Sequence, residues 1–196
     1  IVFGSGPVFA EVGTEGSTGT KLLCVSGHVE RPGTYELPFG AMLRDVLDLA
    51  GGVLGGRALQ AVLLGGAAGG FLGPDDLDVP LTFEGAREAG TTLGSGVVLV
   101  LDETVDLPRL LMRIAAFFRN ESCGQCVPCR VGTVRQQEAL ARLLAGEPRG
   151  GIERELALIG EVGQCMRDAS ICGLGQTASS AIESAIQRLH VFRETA

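Results

Sequence analysis

The chain has 196 residues, room for one large domain or two small ones, and is 45% hydrophobic, enough to build a core. Its 16 basic and 23 acidic side chains leave a net charge of −7, which argues against a nucleic-acid surface as its main business. With 8 Phe, 1 Tyr and no Trp, stacking platforms for bases or sugars are not expected either.

The chain opens IVFGSGPVF, without the basic region and cleavage site of a secretory signal. It begins on Ile rather than Met, and a fragment or processed product of a longer protein is expected. Residues 1–19, rich in glycine, read as a connector. Lys21–Ser26 and Gly33–Leu37 are β-type runs facing each other across Pro32-Gly33, a hairpin signal. Cys24 alternates within the first run and is expected to pack. Met42-Leu43, Val46-Leu47 and Leu49-Ala50 recur at helical spacing, and Gly51-Gly52 stops the helix. Leu59–Leu64 and Val97–Leu101 are further strand candidates. Residues 20–104 therefore read as a small mixed domain with one helix packed on a sheet.

Gly65-Gly-Ala-Ala-Gly-Gly70 lacks the GK[ST] ending of a phosphate loop and reads as a mobile surface loop. Asp75, Asp76 and Asp78 read as solvation of the following loop, not as a metal site. The most apolar stretch, residues 61–72, is shorter than the roughly 18 residues a membrane span needs and contains four glycines.

Near residue 105 the period becomes helical. Asp106 and Pro108 open LLMRIAAFF, a segment apolar nearly all round and expected at the centre. A second helix is expected from Arg130 to Leu144, ended by Gly146 and Pro148. A third places Ile152, Leu156, Ile159, Val162 and Met166 on one stripe, and a fourth starts near Ala178. Four helices with short links over residues 105–196 predict a bundle. His28 and His190 lie near no nucleophile and read as surface or packing residues.

The chemistry concentrates in Glu121-Ser-Cys123-Gly-Gln-Cys126-Val-Pro-Cys129-Arg130. Three cysteines at C-x2-C-x2-C between two helices turn three sulfurs toward one centre, and a helix starting near Arg130 aims free N–H groups at them. Soft thiolates select iron–sulfur clusters or zinc. All-cysteine zinc sites usually use two separated C-x2-C pairs, whereas a triple run plus a distant cysteine suits a [4Fe–4S] cluster. Zinc is the alternative. Disulfides are less expected in a chain without an export signal. The fourth ligand is Cys165 or Cys172. Cys165 falls within the third helix beside Met166 on its apolar side, where a cysteine acts as a small hydrophobe. Cys172 lies in Ser170-Ile-Cys-Gly-Leu-Gly175, a glycine-flanked loop, and is preferred. Gly173–Ala178 also matches G-x-G-x-x-A, but no strand precedes it, so it reads as a link into the last helix.

These residues carry a resemblance. GTKLLCVSGHVERPGTYELPFG, ESCGQCVPCRVGT and SICGLGQTA together resemble the C-terminal half of the NADH-oxidising flavoprotein subunit of respiratory complex I. Related diaphorase subunits belong to NAD-dependent formate dehydrogenases and hydrogenases, and SICGLGQTA looks nearer to that branch. The resemblance implies an α+β chain: a β-grasp domain of the soluble-ligand-binding type over residues 20–104, then a four-helix bundle holding one [4Fe–4S] cluster. The implied ligands are Cys123, Cys126, Cys129 and Cys172, with Gly124, Gln125 and Arg130 facing the flavin or the cluster. Electrons would pass from NADH to FMN, to this cluster, and on to a partner. The implied partners are an upstream FMN/NADH domain, a thioredoxin-like [2Fe–2S] subunit and further iron–sulfur subunits. The implied setting is cytoplasmic, peripheral on the inner membrane, without membrane insertion. The family's glycine-rich flavin loop is missing from this sequence, so FMN and NAD are expected on the parent subunit and not on this chain. The competing reading is a ligand-binding or docking module with a structural zinc site made of four cysteines.

Overall fold

A computed structural model describes residues 5–193. The chain forms two compact units, residues 1–104 and 105–196. It is a mixed α+β protein with one five-stranded sheet and several helices.

In the first unit a short helix α1 (Ser5–Ala10) precedes β1 (Thr20–Gly27). Within the stretch expected as a connector, Ser17 is buried. Its Oγ donates to Glu84 Oε2 at 2.7 Å and accepts from Phe83 N at 3.1 Å. β2 (Gly33–Pro38) pairs antiparallel with β1, Lys21 opposite Leu37. Then come α2 (Leu43–Leu49), β3 (Leu59–Leu64), β4 (Gly70–Leu72), α3 (Phe83–Glu88) and β5 (Val97–Asp102). The strand order is β2-β1-β5-β3-β4, with β1 and β5 parallel at the centre and the remaining pairs antiparallel.

The core follows from periodicity. Leu43, Val46 and Leu47 share one face of α2 and are buried with Leu23, Val25, Val62, Leu64, Val98 and Val100. Each such side chain contributes about 1.5–3 kcal/mol when fully buried. In β1 the inward residues are Leu23 and Val25, which places Leu22 and Cys24 on the exposed face. Cys24 is therefore not a packing residue. A period of two decides this, because its neighbours on either side point inward.

Besides α1, which falls in the stretch expected as a connector, two elements of the first unit lie outside the expected set. β4 forms a hairpin with β3, and Gly65–Gly69 is its reversal. Gly65 and Gly66 hold φ of +86° and +78°, so the glycines serve a turn that L side chains resist. α3 is capped by Thr82, whose Oγ1 accepts from Gly85 N at 2.8 Å; its six residues are too few to show a clear helical period. The aspartates are locally engaged. Asp76 accepts from Gly73 N at 2.8 Å, and Asp78 takes two hydrogen bonds from Arg44 at 2.9 and 3.0 Å.

At the end of β5 the Asp102 carboxylate is fully buried. It accepts from Thr104 Oγ1 at 2.6 Å, Thr104 N at 3.0 Å and Arg57 Nη1 at 3.0 Å, with His28 Nδ1 also 3.0 Å away. These partners, the Thr104 hydroxyl above all, hold its pKa down at about 2. His28 is thus the half-buried partner of a buried carboxylate.

The second unit contains α4 (Leu107–Glu121), α5 (Val127–Leu144), α6 (Ile152–Ala169), α7 (Gly173–Thr177) and α8 (Ser180–Arg188). Asp106 caps α4 by accepting from Arg109 N at 3.1 Å. α4 buries one side only, through Leu107, Leu111, Ile114, Ala115 and Phe118, and Phe117 is 49% exposed, so the helix is not apolar all round. α5 starts three residues earlier than expected, because Pro128 suits the first turn of a helix. α6 buries Leu156, Ile159 and Met166. Cys165, the residue before Met166, is exposed rather than on the apolar stripe, since one helical step turns it about 100° away. His190 is exposed, as expected. Among the described residues no helix is long and apolar enough to cross a membrane.

Candidate metal centre

Two breaks between helices build the site. α4 ends at Glu121, and Ser122 takes an extended conformation while its N–H still donates to Phe118 O at 3.1 Å. The chain then runs through Cys123 and Gly124 to Cys126, the N-cap of α5. Gly124 holds φ of +85°, a backbone conformation that favours glycine, and the Arg130 guanidinium lies over it. Cys129 falls in the first turn of α5 and is buried. The second break repeats the first. α6 ends at Ala169, Ser170 is extended with its N–H donating to Met166 O at 3.1 Å, and Cys172 is the N-cap of α7.

Cys123, Cys126, Cys129 and Cys172 all line one cavity of about 150 Å³, with Glu121, Ser122, Gly124, Ser170, Leu174 and Gly175. Cys165 lies elsewhere, beside Val127, Val131 and Val162. The structure thus brings the four sequence-selected cysteines together and leaves Cys24 and Cys165 out. Gln125 and Arg130 are not part of the lining. Cys172 sits at the start of a short helix rather than within a plain loop.

The wall is chemically specific. Ile171 N–H donates to Cys126 Sγ at 3.4 Å, and Ser122 Oγ lies 3.4 Å from Cys129 Sγ. The free N–H groups at the start of α5 add positive potential beside Cys126 and Cys129. A Cβ at Gly175 would fall against Ser170 Oγ and within 2.9 Å of Cys129 Cβ, so glycine keeps this wall open. Ser170 is buried, and its Oγ has no hydrogen-bond partner. Sequence reasoning misses Ser122, Ser170 and Gly175; the signal for them is small residues flanking each cysteine.

The donor set fits a cluster better than an ion. Tetrahedral zinc draws its sulfurs to about 2.3 Å from one point. Four thiols spread around a cavity, one wall carrying an orphaned hydroxyl, suit a larger sulfur-rich group.

These features define an iron–sulfur protein of the α+β class. Comparison with known proteins makes this specific. Residues 109–195 match the NADH-ubiquinone oxidoreductase-F iron–sulfur binding region and residues 22–71 match the SLBB domain. The chain carries both, in that order, and the group its second half binds is a [4Fe–4S] cluster. It is 38% identical over 187 residues to the NADH-quinone oxidoreductase F subunit of Mycobacterium tuberculosis H37Rv, covering 95% of this chain and 41% of that protein. It is 35% identical over 185 residues to the HndC subunit of the NADP-reducing hydrogenase of Solidesulfovibrio fructosivorans, covering 94% of this chain and 37% of that one. Among solved structures it resembles a chain of an air-oxidized NAD+-reducing [NiFe]-hydrogenase, with TM-score 0.82 and 34% identity over 96% of this chain and 32% of that chain. The chain spans about two fifths of the length of the curated relatives.

Proposed function

We propose that the chain is an electron-transfer module of an NADH-dependent oxidoreductase, with Cys123, Cys126, Cys129 and Cys172 as ligands of its [4Fe–4S] cluster. The observation that carries this reading is the convergence of these four cysteines, from two separate helix breaks, on one cavity. Bound there, the cluster supplies one-electron transfer. The chain's own residues hold and shield it. The four thiolates anchor it, Ile171 N–H and the start of α5 offset their negative charge, and Leu174 keeps water from one side.

The parent protein supplies the rest of the reading. FMN, reduced by NADH, belongs to a domain outside this chain, and the electron acceptors are a thioredoxin-like [2Fe–2S] subunit and further iron–sulfur subunits of a complex on the cytoplasmic side of the membrane. The relatives are named as subunits of a quinone oxidoreductase and a hydrogenase, which supports this assignment of class. The first unit is a β-grasp domain serving as spacer and docking surface. Its parallel central pair β1–β5, flanked by antiparallel strands, supports this. The principal helices of the second unit form a four-helix bundle.

The test is elemental and functional. Anaerobically prepared chain is expected to hold about four iron and four acid-labile sulfide. It should be reducible by dithionite, and inert to NADH even with FMN, until the parent flavin domain is supplied. Stoichiometric zinc without sulfide would overturn the reading in favour of a docking module.

A further inference from the structure

Both helix breaks that deliver cysteines to the cavity begin in the same way. A helix ends, a buried serine takes an extended conformation, and a cysteine follows within two residues: Ser122 before Cys123, Ser170 before Cys172. Both serines line the cavity. Their backbones are already satisfied, since each N–H closes the preceding helix. Their hydroxyls are not used in any way that packing explains. Ser122 Oγ lies 3.4 Å from Cys129 Sγ, and Ser170 Oγ, on a residue only 7% exposed, has no partner. A buried hydroxyl left unpaired is costly, and its retention calls for an acceptor.

Resting on the cysteine-ligand reading above, we propose that Ser122 and Ser170 are positioning residues that donate hydrogen bonds to the sulfurs of the cluster and raise its reduction potential. The direction of the Ser122 bond follows from chemistry. A ligating cysteine is a thiolate and has no proton to give, so the hydroxyl must donate to Cys129 Sγ. Ser170 is the second donor, and a sulfur in the cavity is the acceptor its buried Oγ lacks. Gly175 keeps the space beside Ser170 Oγ clear, where any side chain would press on the hydroxyl. One-electron reduction adds negative charge to the sulfurs, and a donor O–H stabilises the more charged state more strongly. Removing a donor therefore lowers the potential.

The experiment uses the full chain with its cluster assembled. Potentials of the unsubstituted chain, Ser170→Ala and Ser122→Ala are read by EPR-monitored titration with mediators and dithionite. Each variant should retain iron and sulfide, and its equilibrium constant for reduction should fall about tenfold, which is a downward shift of about 59 mV for a one-electron couple. Pulsed EPR of the reduced unsubstituted chain should show exchangeable protons coupled to the cluster, lost in part in each variant. An intact cluster with unmoved potentials in both variants overturns this inference alone. If Ser170→Ala fails to assemble a cluster, Ser122→Ala decides: an unmoved potential with unchanged proton couplings overturns the inference, and a downward shift with partial loss of those couplings upholds it. A chain without iron and sulfide overturns both this inference and the reading beneath it.

Discussion

The two units differ in how completely they pair their buried polar groups, although the second also encloses a fully partnered carboxylate, Glu155, held by Arg142 and Arg149 N–H. In the first, Asp102 is fully buried yet surrounded by donors from Thr104 and Arg57, with His28 beside it. In the second, Gln136 Nε2, Ser170 Oγ and Glu183 Oε1 are buried without partners, and among the described residues no such atom is found in the first unit. A scaffold closes its hydrogen bonds internally, because each open one costs stability. A binding site leaves some of them for its ligand. Of the three orphans, Ser170 lines the cysteine cavity, and Gln136 and Glu183 do not.

The contrast can be broken most sharply at Cys172. Cys172→Ser should abolish or strongly destabilise the cluster, while Cys165→Ala, at an exposed position outside the cavity, should leave cluster content intact and change stability by no more than about 0.5 kcal/mol. Iron, sulfide and visible spectra check both. The reverse pattern would reassign the fourth ligand.

The first unit should instead respond as packing does. Leu64→Ala, at a fully buried core position, should destabilise it by roughly 2–5 kcal/mol in denaturant melts. Gly175→Ala tests whether the cavity wall tolerates one methyl group. The added Cβ meets Ser170 and Cys129, so a loss of roughly 1–3 kcal/mol is expected, together with reduced cluster retention after dialysis. Unchanged melting and retention would show that the wall yields.

The smallest effect is acid sensitivity in the first unit. Asp102 titrates at about 2 in the folded chain against 3.8 ordinarily, so the unfolded chain binds the proton more readily. Its stabilising contribution is complete above about pH 4 and fades as pH falls toward 2. Asp102→Asn should remove this dependence, measured as the slope of melting temperature between those limits. An identical slope would show that other carboxylates control it.

Spacing in the sequence was enough to group three of the cysteines that line the cavity, and loop context to prefer Cys172 over Cys165 as the fourth. C-x2-C-x2-C brings three thiols to one turn through local geometry alone, and Cys172 stood out by its glycine neighbours. The α2 face, the β1–β2 hairpin and the change of period near residue 105 were legible for the same reason: each depends on residues a few positions apart. Short elements were not legible, since the six residues of α3 and three of β4 are too few to establish a period. The positions of Cys24 and Cys165 also needed the structure. Each lies beside an inward residue, and a single step along a strand or helix reverses or turns the side chain away from the core. Nor could the sequence show that Ser122 and Ser170, 48 positions apart, line the same cavity. Only the packing of α5, α6 and α7 joins the two helix breaks, and whether a hydroxyl is satisfied depends on that packing rather than on its neighbours in the chain.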